Sequence, residues 1–136
     1  MADQGRIVKM WFNKSVEDLN AAHLLMCQKS ESFWGPSVFH SQQSAEKALK
    51  GFLAFKKVRF SKTHDLEILI NLVLQVDPEL AEILRPAGVL TKFATAYRYP
   101  EEAESPEPMT QIICEKIYAL ANMVCEEIKS KVSLNK

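Results

Sequence analysis

The chain has 136 residues, 47% hydrophobic and 25% charged, with a formal net charge of zero at pH 7. That is length enough for one domain with its own core and an ordinary composition for a folded protein, which argues against a disordered polyelectrolyte and against a strongly basic, sequence-blind nucleic-acid binder. Three cysteines, Cys27, Cys114 and Cys125, without paired spacing, fit neither a disulfide framework nor a zinc site.

Apolar spacing is helical throughout, and with only four glycines no period-two run with hairpin chemistry stands out. The first helix is expected from about Val8 to Gln28. Phe12, Val16, Leu19, His23 and Met26 lie on one side of it, and Trp11, Ala22 and Leu25 widen that face. Gly35-Pro36 opens the second helix, because proline at the first position loses no needed N–H. It should reach about Lys57, with Val38, Ala45, Leu49 and Phe52 as its core stripe. The third begins at Thr63 as N-cap, with Asp65 and Glu67 suited to the positive end of the helix dipole and Leu66, Leu69, Ile70 and Val73 buried. Asp77-Pro78 starts another helix, Pro86 breaks it, and it resumes to end near Tyr99 before Pro100. Leu90, Phe93, Ala94 and Tyr97 give its core face. Residues 100–108 read as an acidic, Pro-rich loop, and Ser105-Pro106 starts the last helix. Met109, Ile112, Ile113, Ile117, Leu120, Val124 and Ile128 form the stripe of that helix.

The expected product is a single all-α domain over residues 1–136, an antiparallel up-and-down bundle of roughly four to five helices. The wide apolar arcs of the first and last helices fit either a homodimer interface or a well-filled monomer core. No apolar stretch approaches the roughly 20 residues of a membrane span, and the N-terminus has no apolar signal core. A cytoplasmic protein with no membrane contact is expected.

Three features carry candidate chemistry. Six basic residues fall between Lys47 and Lys62 (Lys47, Lys50, Lys56, Lys57, Arg59 and Lys62) with no acid among them and with Phe52, Phe55 and Phe60 interleaved. Cations beside aromatics suit phosphates and stacked bases; a solvated lysine face is the plain alternative. Lys62-Thr63-His64-Asp65 enters a helix, where free N–H groups favour anions, or merely caps it. In Tyr97-Arg98-Tyr99-Pro100, the arginine can stack on a tyrosine and still grip a phosphate, or satisfy the last helix carbonyls. The candidate ligand-binding residues are therefore Lys47, Lys50, Lys62, His64, Asp65, Arg98 and Tyr99. There is no P-loop, no GxSxG, no HExxH and no dinucleotide fingerprint, so no metal or resident cofactor is expected.

Asp18-Leu19-Asn20-Ala21-Ala22, the run Gln42-Gln43-Ser44-Ala45-Glu46-Lys47-Ala48-Leu49-Lys50, then Lys62-Thr63-His64-Asp65-Leu66 and Arg98-Tyr99-Pro100 resemble, in order and distance, the HEPN family. The resemblance covers Trp11 to Ile128. It implies a homodimerising helical bundle that takes a nucleotide such as ATP or GTP, or RNA. It also implies a minimal nucleotidyltransferase as partner, in a toxin–antitoxin-like or nucleotide-handling pair. One branch of the family is a metal-independent ribonuclease whose motif is Arg, four to six residues, then His. Here Arg98 is followed by no such histidine, whereas Arg59 and His64 meet the spacing formally. A binding module is the first reading, the ribonuclease using Arg59 and His64 the alternative, and a purely structural dimeric scaffold the second alternative.

Overall fold

A computed structural model describes residues 3–99 and 109–134. Among these, six α-helices and two short 3₁₀ turns (Glu31–Phe33 and Arg85–Gly88) carry the chain, with no strand. The helices are α1 (Gln4–Met26), α2 (Trp34–Phe55), α3 (Leu66–Leu74), α4 (Pro78–Leu84), α5 (Val89–Arg98) and α6 (Gln111–Leu134). Pro86 lies in the turn between α4 and α5, so these two are the halves of one interrupted helix, and the expected bundle is present.

Contacts fix the directions. Gln4 Nε2 donates to the Ala54 carbonyl, and Ser37 Oγ to that of Ala22, so α1 and α2 are antiparallel. Midway, Ser15 Oγ donates to the Ser44 carbonyl at 2.8 Å and Ser44 Oγ to the Ser15 carbonyl at 2.9 Å. Cys114 Sγ lies near the Trp34 carbonyl and Cys125 Sγ near Ser44 Oγ, which makes α6 parallel to α2. The core joins Leu49, Phe52 and Leu53 of α2 to Leu69, Ile70, Leu84 and Leu90, and to Ile117, Val124 and Ile128 of α6. Covering α2 from three sides turns its apolar stripe into the centre of the domain.

Several expected faces and helix ends differ in the structure. On α1, Val16 and His23 are exposed, and the contact line instead runs Val8, Phe12, Ser15, Leu19, Ala22 and Met26. Those steps of 4, 3, 4, 3 and 4 follow a heptad-like seam, in which a serine is admitted because its hydroxyl is bonded. The third helix is capped by Asp65, not Thr63: Asp65 accepts from the Glu67 N–H at 2.9 Å, and Thr63 Oγ1 accepts from the Asp65 N–H. Phe93 and Ile112 are exposed, each on the outer side of its helix. The second helix begins at Trp34, placing Pro36 in its first turn, where no backbone N–H is required. Asp77 caps α4 as expected, accepting from the Leu80 N–H. The loop at 100–108 and the Tyr97 side chain lie outside the described residues. The last helix does not run on from Ser105-Pro106: Met109 and Thr110 are not helical, and α6 begins at Gln111, where Thr110 Oγ1 accepts from the Ile113 N–H at 3.1 Å. Among the described residues no helix is long and apolar enough to cross a membrane.

The cysteines differ in environment. Burial pushes the Cys125 thiol up, partly offset by its hydrogen bonds to Ser15 and Ser44, and burial likewise raises Cys114; Cys27 is exposed. A thiol reacts as its thiolate. Titrating the native protein with a disulfide reagent at pH 8 is therefore expected to modify Cys27 quickly, and all three cysteines only after unfolding. Fast native modification of two or more would contradict the packing of α6 on α2.

Candidate functional site

The loop before α3 is pinned from two sides. Gln42 Nε2 of α2 donates to the His64 carbonyl at 3.0 Å, and Thr91 Oγ1 of α5 accepts from the Leu66 N–H at 2.9 Å while facing the same carbonyl at 3.4 Å. This clip holds the His64 ring over α2. There its Nδ1 lies 3.1 and 3.2 Å from the two carboxylate oxygens of Glu46. Glu46 is only 3% exposed, whereas the His64 side chain is 78% exposed. A carboxylate accepts only, so Nδ1 carries the proton and Nε2 is the nitrogen turned outward.

Glu46 is the centre of a buried polar cluster. It also accepts from Lys50 Nζ at 3.1 Å and from Gln42 Nε2 at 3.2 Å. Lys50 is itself buried, with Nζ 5.6 Å from the Trp11 ring centre and 6.0 Å from that of Phe60. Three donors from two elements converge on one carboxylate, which is what a buried charge requires.

Beside His64 a cavity of about 460 Å³ opens, lined by Phe39, Gln42 and Gln43 of α2, Thr91, Ala94, Thr95 and Arg98 of α5, and Tyr99. Arg98 comes from the last turn of α5. Its guanidinium stacks over Phe39 at 4.7 Å and lies 5.9 Å from the Tyr99 ring. The stacking expected from a flanking tyrosine is thus shared with a phenylalanine of another helix. None of the lining side chains is acidic. An aromatic-backed guanidinium, an exposed imidazole and two carboxamides around one opening suit a ligand with both a phosphate and a flat hydrogen-bonding ring.

The expected residues separate into those brought together and those not. His64, Arg98 and Tyr99 share the cavity. Lys47 does not line it: its ammonium is paired with Asp18 of α1, which also meets His40 Nδ1 at 2.8 Å. Lys50 is consumed by Glu46, Asp65 by its cap, and Lys62 is exposed on the loop two residues before His64. Arg59 lines a different cavity, with Trp11 and Phe60, so within one chain Arg59 and His64 do not form the composite site that their spacing suggested. Reasoning from sequence missed Phe39, Gln42, Gln43, Thr91 and Thr95. Of these, only Gln42 and Gln43 carried a signal, as the Gln-Gln pair before Glu46.

A family model described as the HEPN domain matches residues 8–131. The chain belongs to the HEPN family. No curated protein and no solved structure matches it at a significant level. The match takes in α2, α3, α4 and α5 whole and most of α1 and α6, so the cavity lies wholly inside the HEPN domain.

Proposed function

We propose that this HEPN domain is a nucleotide-binding module whose ligand occupies the cavity between α2 and α5. Arg98 takes the phosphate, and Tyr99 and Phe39 give the aromatic wall. His64 Nε2, Gln43 and Thr95 offer polar contacts to the sugar and base. The observation that carries this reading is the convergence of His64, Arg98 and Tyr99, from two distant stretches of sequence, on one opening free of lining acids. Lys62, exposed beside His64, is within the same loop to meet a longer phosphate tail; Lys47, Lys50 and Asp65 serve as supports of the scaffold. ATP and GTP are the ligands of first choice. A minimal nucleotidyltransferase partner, in a toxin–antitoxin-like or nucleotide-handling pair, fits the same reading, as does a homodimer, for which exposed Met10, Val16 and Leu24 on α1 offer apolar surface.

A thermal-shift titration with ATP and GTP tests it. At 100 times the dissociation constant a ligand adds about 2.7 kcal/mol, and Arg98→Ala is expected to abolish that gain while leaving the unliganded melting temperature near wild type. If Arg98→Ala melts upward with ligand as wild type does, the cavity is not the site. One observation favours a second reading, a metal-independent ribonuclease. The Glu46–His64 pair fixes the imidazole tautomer that can accept a proton at Nε2, in the cavity that also holds Arg98. RNA cleavage in a chelator, lost in His64→Ala and kept in Arg59→Ala, would select it. A chain that neither binds nucleotide nor cuts RNA is a scaffold.

A further inference from the structure

A second cavity, of about 550 Å³, lies where the start of α1 meets the end of α2. It is lined by Ile7, Trp11, Lys57, Val58, Arg59 and Phe60, together with Gln4 and Ala54, and none of these is acidic. The Trp11 and Phe60 rings meet edge-on, 6.2 Å between centres and 65° between planes, and both are partly exposed. Lys57 and Arg59 are exposed beside them, and among the described residues neither has a carboxylate within 4 Å.

The backbone adds an independent observation. α2 ends in a Schellman-type turn: the Val58 N–H donates to the Leu53 carbonyl at 2.8 Å and the Lys57 N–H to the Ala54 carbonyl at 3.0 Å. This places Lys57 at φ 59°, the one non-glycine residue with positive φ among the described residues. Glycine is the ordinary occupant of that position because a Cβ is disfavoured there. Here a lysine stands in it, and its side chain reaches the cavity. Compensation of the helix dipole does not require it, since Lys56 already offers a cation at the same helix end, over the Phe52 and Phe55 rings.

We infer that this groove is a second site, separate from the α2–α5 cavity, that takes single-stranded nucleic acid. Trp11 and Phe60 stack a base, and Lys57 and Arg59 neutralise the two phosphates that flank it. Aromatic surface alternating with cations matches the repeat of base and phosphate along a single strand. An acidic peptide would use the cations but leave the ring faces without a flat partner.

The test is fluorescence anisotropy of a labelled oligouridylate of about eight nucleotides, with Trp11 fluorescence read in parallel in a Trp34→Phe background. Two neutralised phosphates predict that affinity falls about sevenfold between roughly 50 and 200 mM salt. In Lys57→Gly one contact is gone: binding weakens, the fall over the same salt range shrinks to about 2.6-fold, and the melting temperature rises as the backbone strain is relieved. Arg59→Ala, a surface change, is expected to flatten the salt response equally. Neither substitution touches the α2–α5 cavity, so the ATP or GTP thermal shift stays as in wild type, and the two sites stand or fall separately. The inference is overturned if the oligonucleotide does not bind. It is equally overturned if wild type and both variants share one salt response, if Trp11 is not quenched, or if polyglutamate binds in place of the oligonucleotide.

Discussion

Glu46→Ala is expected to cost about 3–5 kcal/mol, the loss typical of a buried ion pair deprived of one partner. The carboxylate it removes is the acceptor for Lys50, Gln42 and His64 at once. Lys50 cannot escape to water without movement, since its side chain is 7% exposed and lies under Trp11 and Phe60. For a domain of this size the loss corresponds to about 10–17 °C in melting temperature. The double substitution Glu46→Leu with Lys50→Met removes both charges, and apolar replacement of a buried pair is often neutral. Most of the stability should therefore return, while the His64 ring, left without its partner, loses its set orientation. Chemical denaturation of Glu46→Leu, Lys50→Met and the double closes the cycle. If Glu46→Ala unfolds within about 1 kcal/mol of wild type, less than the cost of one unsatisfied buried charge, the cluster is solvated and does not order His64.

Gly51→Leu is the second large effect. Gly51 sits inside α2, where glycine is about 1 kcal/mol worse than alanine, so its presence needs a reason. The reason is Phe12: a Cβ built on Gly51 would lie 2.7 and 2.9 Å from the edge of that ring. α1 approaches α2 closely enough here that only a hydrogen fits. Alanine should come out near balance, helix propensity gained against a ring pushed aside. Leucine adds three more carbons to a filled space and is expected to cost about 3 kcal/mol, the upper end for overpacking. Pairing it with Phe12→Ala should recover part of the loss, and the denaturation midpoints of the four proteins measure this. A Gly51→Leu variant as stable as wild type would mean that Phe12 swings away freely and that the α1–α2 distance is set elsewhere.

Much of the fold was legible because the signals were local. Val38, Ala45, Leu49 and Phe52 repeat at helical spacing, and all four are buried. Asp77-Pro78 marks a helix start by chemistry that needs no distant partner. The α1 face was misread because Ser15 looks polar and Val16 apolar; only the bond from Ser15 to Ser44, 29 positions away, turns that order around. The candidate site followed the same division. His64, Arg98 and Tyr99 could be chosen by residue type and helix end. That Lys47 belongs to Asp18, that Lys50 is buried against Glu46, and that Arg98 lies over Phe39 as well as Tyr99 depend on how α1, α2 and α5 cross. The spacing of Arg59 and His64 satisfied a motif while the chain between them led the two side chains into separate cavities.

The position of α6 sets a timetable for making this protein. Every side chain of the α2–α5 cavity lies between Phe39 and Tyr99, yet the α2 face behind that cavity is closed by Ile117, Val124 and Ile128. A nascent chain that has just delivered Tyr99 has every side chain that lines the cavity and an uncovered core. At about 5–20 residues per second the ribosome needs roughly 1.5–6 s to reach Ile128. For that interval the apolar stripe of α2 is open to chaperones and to other nascent chains, and the cavity is backed by a closed core only as the last helix docks.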